Sequence, residues 1–224
     1  ARRSRPGSGG AIAREMTEKT AVSAFYRTGD GALVETADPA EFRRALSDPG
    51  ALLWLDLFIR SEGDAAVLSE VFRFHHLTIE DCLSPRLDPA KIDDHGEYLF
   101  VVVQALTAYQ PDRELEAVEV DFYLGPNYVV SCHREPVPAI EQFHERCRRD
   151  DYILSHTADW LLHGLLDALV DEYLPIVDAV DDTIDRLEEM VLHQPDTSLL
   201  GQIMMVKRNA LRLRRATTPQ RDIM

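Results

Sequence analysis

The sequence predicts an α/β or α+β domain built on a mixed sheet, followed by a long antiparallel helical hairpin that projects from it. Three observations lead there. Short β-type runs alternate with helical patterns over residues 21–150, and strands mixed with helices in this way, with an antiparallel pair among them, build a mixed sheet. Beyond about residue 155 an apolar residue recurs at every third or fourth position, the period of one buried helix face. A Gln194-Pro195-Asp196-Thr197 break then separates that stripe from a second one.

Residues 1–20 are rich in Arg, Ser and Gly and contain no apolar run, so they read as a disordered tail and not as a signal peptide. The α/β domain follows over 21–150. Its strands are expected at Val22–Arg27, Leu52–Phe58, 98–107 and 118–132, the last a hairpin because Gly125-Pro126-Asn127 is a turn signal between two apolar runs. Helices are expected at Pro39–Ser47, 62–74, 77–83 and 137–148.

The hairpin occupies 151–216. Leu162, Leu166, Leu169, Tyr173, Ile176, Val180, Ile184, Leu187 and Val191 form one stripe, predicting a helix of about 33 residues and roughly 50 Å. Pro175 should kink it slightly, since it lacks a donor and crowds the carbonyl of Asp171. Leu199, Ile203, Val206, Ala210 and Leu213 mark the second helix. Residues 217–224 show no cap and no stable element, and read as the start of a truncated stalk.

The composition narrows the function. Forty-five per cent of the 224 residues are hydrophobic, and 39 acids against 24 bases give a net charge of −15. So negative a chain is a poor partner for nucleic acid or an anionic membrane surface and a good one for cations. The charge sits mainly in the α/β domain: residues 21–159 carry −14, whereas the hairpin with its turn carries −4. No run of 18 apolar residues exists to span a bilayer. Cys82, Cys132 and Cys147 are odd in number with no CxxC spacing and read as buried free thiols of a reducing compartment. No nucleophile–base pair, Gly-rich phosphate loop or H-E-x-x-H motif supports an enzyme.

Carboxylates stand out instead. Glu80 and Asp81 are adjacent, so on a helix they point about 100° apart and cannot clamp one ion alone. They can share an ion with another element, and Mg²⁺ suits so sparse a site because it binds through one or two carboxylates and keeps its waters. The plainer reading is a solvated helix end. His76 and Glu80, four residues apart, read as a local pair, since two ligands do not make a zinc site. Nine acids and one base lie between 160 and 192, against five bases and no acid on the second helix. Ion pairing across the hairpin is the expected use of most of these. Asp167, far from the basic stretch and near the base of the hairpin, is the exception.

These residues together resemble the CorA-type divalent-cation transporters. The segments that carry the resemblance are Trp54-Leu55-Asp56-Leu57, His75 to Asp81 with Leu83, Lys91 with Glu97-Tyr98-Leu99-Phe100, Leu165 to Tyr173, Asp185 with Leu187-Glu188, and Lys207-Arg208 leading to Leu213-Arg214-Arg215 and Pro219. Each is weak alone; their order over about 50–222 is specific. Two positions depart from the family pattern: His75-His76-Leu77 where many members have His-Pro-Leu, and Leu87-Asp88-Pro89-Ala90-Lys91 where they have Gln-Arg-Pro-Lys.

The resemblance implies an α/β/α sandwich with a projecting pair of acidic helices, the N-terminal cytoplasmic domain of a membrane homopentamer whose membrane helices follow Met224. It implies divalent-sensing sites between subunits. The matching positions here are Glu80, Asp81 and Asp167, with a partner carboxylate on a neighbour's stalk. The ion, Mg²⁺ or else Co²⁺, Ni²⁺ or Zn²⁺, is not legible. By itself this chain is expected to be a soluble monomer or weak oligomer with at most millimolar affinity for Mg²⁺. Two rival expectations are a zinc transporter of the ZntB type, and a soluble scaffold that binds a partner helix through its hairpin.

Overall fold

The computed structural model describes residues 21–193, 196–221 and 223; the expected tail over 1–20 and the Gln194-Pro195 part of the hairpin break lie outside them. Seven strands form one sheet: β1 (Val22–Arg27), β2 (Leu33–Thr36), β3 (Leu52–Phe58), β4 (Lys91–Asp94), β5 (Leu99–Leu106), β6 (Ala117–Leu124) and β7 (Tyr128–His133), in the order β2-β1-β3-β7-β6-β5-β4. Every pairing is antiparallel except β3 with β7, which makes the sheet mixed. The β6–β7 hairpin turns where the Gly125-Pro126-Asn127 signal puts it. A Cβ at Gly125 would sit 2.1 Å from the ring of Tyr128, so any larger residue would have to displace that ring.

Helices cover both faces. On one lie α1 (Pro39–Ser47), α2 (Ala66–Glu70) and α3 (His76–Leu83); on the other lie α4 (Pro138–Arg149) and α5 (Ala158–Asp171). Two cores result. Leu53, Leu55, Phe100, Val102 and Tyr123 pack toward α1–α3, while Trp54, Val101, Val103, Val120 and Phe122 pack toward α4 and α5. The alternation along each strand sends neighbouring residues to opposite cores, and the result is an α/β/α sandwich.

Then come α6 (Tyr173–His193) and α7 (Leu199–Arg221), the hairpin. Near its base Tyr173, Ile176 and Ala216 pack with Leu106 and Leu115. Farther out Val180, Leu187, Leu199 and Val206 pack on one another and, among the described residues outside the hairpin, on Tyr109, so the outer half projects as expected.

Four expectations are corrected. The helix expected over 62–74 is a 3₁₀ turn (Glu62–Ala65) and the short α2; Arg73, at a left-handed φ of 59°, reverses the chain so that the Phe74 ring stacks 3.9 Å from Tyr123. The single long helix is two, α5 and α6, with Glu172 between them as the cap of α5. The break falls three residues before Pro175, at the point where its missing donor and its ring disfavour a continuous helix.

The expected stub is helical to Arg221, with Pro219 inside it. Its anchor is Gln220, 2% exposed, whose Oε1 accepts from Gln104 N–H at 3.3 Å and Tyr173 O–H at 2.8 Å. Last, among the described residues Arg208 and Arg212 pair with Glu114 and not with α6. The cause is Asn209, fully buried, which bonds Leu115 N–H and Arg113 C=O and rolls its neighbours toward the loop before β6.

Candidate metal centre

The short helix α3 is fixed at three points. His75 caps its first turn through Leu77 N–H at 3.3 Å, the His75 N–H donates to Tyr98 Oη at 2.9 Å, and Thr78 and Cys82 are buried against the sheet. Cys82 Sγ lies 3.1 Å from Tyr123 Oη. With that face inward, Glu80 is exposed and Asp81 half-buried.

Asp81 is not free. Lys91 Nζ donates to its Oδ2 at 2.9 Å and also stands 3.6 Å from Asp88 and 3.5 Å from Asp93. Burial opposes the charge on Lys91, but the bond to Asp81 and the flanking aspartates outweigh it and raise the lysine's pKa. Asp167 is exposed on α5, the helix that Leu161, Leu165 and Leu169 hold to the other face of the sheet. One chain therefore brings Glu80 and Asp81 together and sets Asp167 on the opposite face. Among the described residues no three His, Cys, Asp or Glu side chains converge to hold a metal.

Two buried polar groups were not singled out from the sequence as a site. Toward α4, Asp56 accepts from Ser131 O–H at 2.5 Å, Ser131 accepts from Trp54 Nε1–H at 3.1 Å, and His133 and His144 lie 3.4 and 3.2 Å from the carboxylate. Burial resists ionisation of Asp56, yet His133 and then His144 outweigh it and hold the carboxyl below its ordinary range.

Toward α3, Glu119 and Asp121 sit two residues apart on β6. Burial first, then Asp88 and Asp81, push Glu119 up to about 7 although it accepts Asp88 N–H. Burial and the Glu119 charge raise Asp121 well above a normal carboxyl. Their signal in the sequence was two acids at alternate positions of a strand whose other residues are apolar. All three cysteines are buried and free, as expected.

The family model described as "CorA-like Mg2+ transporter protein" matches residues 49–224. The chain belongs to the CorA family. Among its relatives, the "Putative metal ion transporter YfjQ" of Bacillus subtilis is 32% identical over 174 residues, 78% of this chain and 53% of that protein. The "Cobalt/magnesium transport protein CorA" of Thermotoga maritima is 33% identical over 158 residues, 70% of this chain and 45% of that one. The chain thus spans about half the length of these CorA relatives.

Solved structures share the fold. The soluble domain of CorA from Methanocaldococcus jannaschii superposes with a TM-score of 0.72 at 14% identity, over 90% of this chain and 76% of that chain. The ZntB cytoplasmic domain from Vibrio parahaemolyticus does so with a TM-score of 0.63 at 11% identity, over 91% and 80%. No helix among the described residues is long and apolar enough to cross a membrane.

Proposed function

We infer that the chain is the cytoplasmic regulatory domain of a CorA-type magnesium transporter, which senses Mg²⁺ on Glu80, Asp81 and Asp167 at contacts between subunits. The observation that carries this reading, beyond family membership, is the placement of those carboxylates. Glu80 and Asp81 lie on the α3 side of the sheet and Asp167 on the α5 side, so they meet only when one subunit's α3 face approaches the next subunit's α5 face. Head-to-tail contacts of that kind close into rings, which supports the homopentamer expected of the family.

In such a ring Mg²⁺ screens the facing carboxylates and favours the closed, symmetric state. When Mg²⁺ falls, each bare like-charge pair costs of order 1 kcal/mol near a surface, and the population shifts toward loosened, open rings. The test uses the full-length, assembled protein with Glu80→Gln, Asp81→Asn and Asp167→Asn combined. Mg²⁺-dependent protection from protease should be lost. Unchanged protection in an intact assembly would sink the assignment.

One observation keeps the zinc reading as a second: the rings of His75, His76 and His95 lie side by side, with centroids 4.4 Å apart for His75–His76 and 5.8 Å for His75–His95, although their nitrogens do not converge on one point as they stand. Zinc bound at micromolar concentration and lost in His76→Gln would turn the assignment toward zinc.

A further inference from the structure

Beneath the end of α3 the structure holds a cleft of about 670 Å³ that none of the proposed sensing carboxylates lines. Its floor is the α3-facing side of β6, where Glu119 and Asp121 point the same way because they are two residues apart on a strand. Asp121 is 3% exposed, it lines the cleft, and its Oδ1 has no hydrogen-bond partner. A buried carboxyl oxygen left unsatisfied has lost its hydration without a replacement, so a group that enters the cleft and engages Oδ1 recovers that loss.

Most of the nearby positive charge is already engaged. Lys91 is shared among Asp81, Asp88 and Asp93. On the rim, Arg134 donates to the carbonyl of Leu83, and Arg212 donates to Leu115 C=O and pairs with Glu114. Arg86, Glu116 and Glu135 line the cleft as well. The cleft is lined by the two carboxyls and Cys82, and the buried Cys132 lies in register with Asp121 on the neighbouring strand β7.

We propose that this cleft is a second, intrachain site for a hydrated divalent cation, held by Glu119 and Asp121 through two carboxylates and retained waters. The donor set decides the class of ion. Without three converging protein ligands, tetrahedral zinc coordination is not built here. An ion of the Mg²⁺ type, which binds through one or two carboxylates and keeps several waters, fits a cleft large enough for those waters, at about 30 Å³ each. The raised pKa values of both carboxyls agree with missing counter-charge.

This site needs no second subunit, and that separates it from the sensing role. The 224-residue chain, shown to be monomeric by sedimentation, is titrated with Mn²⁺ as a paramagnetic stand-in, with Mg²⁺ as competitor. The expected result is one Mn²⁺ per chain, displaced by Mg²⁺. Asp121→Asn and Glu119→Gln should each weaken it at least about tenfold, since loss of even an outer-shell partner of a metal costs that much, while Glu80→Gln and Asp167→Asn leave it unchanged. Circular dichroism checks that each variant folds; if Asp121→Asn does not, the half-buried Glu119→Gln decides. Absence of Mn²⁺ binding at millimolar concentration, or binding indifferent to folded Glu119→Gln, overturns the proposal and leaves the sensing role untouched.

Discussion

Lys91 Nζ donates to Asp81 Oδ2 at 2.9 Å, so one of the two carboxylates on α3 already has a cation, supplied by strand β4 of its own chain. Any ion arriving at Asp81 competes with that ammonium.

Replacing the lysine tests the competition. Lys91→Met should lower stability by no more than about 1 kcal/mol, because the pair is partly open to water and screened. It should also raise the Mg²⁺ affinity of the assembled protein. Calorimetric titration of both proteins reads the second effect, and protection by Mg²⁺ at unchanged concentration would show that Lys91 is only a structural partner.

Glu119 predicts an alkaline weakness. Its folded pKa, about 7, lies above the ordinary value of 4.5, so between those values the folded chain holds a proton that the unfolded chain has released. Stability therefore falls as pH rises through that window and stays reduced above it, with Asp121 acting in the same direction. Glu119→Gln should flatten the decline. At pH 8 the gain, discounted for partial exposure, is about 1 kcal/mol, or about 2–4 °C in Tm for a chain of this size; thermal melts at pH 5 and 8 measure it.

Asp56 predicts the reverse at the acid end. Its folded pKa is depressed, so its contribution is present above the unfolded pKa and is lost as pH falls through the folded one. Asp56→Asn should cost about 3–5 kcal/mol, since it leaves His133, His144 and Ser131 facing a group that no longer carries charge. Urea unfolding at neutral pH checks the loss.

The outer hairpin should open on its own. Leu187 is 6% exposed and, among the described residues, clusters with other hairpin residues and their satellite Tyr109. Leu187→Ala should cost about 2–5 kcal/mol, read as lost amide protection in the outer halves of α6 and α7 while β5 and β6 keep theirs. Equal loss in the sheet would mean that hairpin and sandwich unfold together.

How much of this was legible depends on which contacts are local. Strands such as Leu52–Phe58, buried almost throughout, announce themselves by apolar content. The edge strands Leu33–Thr36 and Lys91–Asp94 are short and mostly polar or exposed, and edge positions tolerate such residues, so the pattern passed them over. Glu80 and Asp81 stood out as neighbours in sequence. The Lys91 that holds Asp81 is ten residues away and became visible only once β4 lay beside β5. Arg208 and Arg212 found Glu114 for the same reason: charge counting along two helices could not foresee that buried Asn209 would turn them toward a loop.

Gln220 has a consequence of another kind. Its side chain clasps Tyr173, the first residue of α6, and the backbone of Gln104 in β5, so both helices of the hairpin are pinned to the sheet at one end. A pull along α7 would therefore reach strand β5 through that clasp. Stepped at its heel like a boom, the hairpin would carry a small tilt at Tyr173 outward as a wide arc.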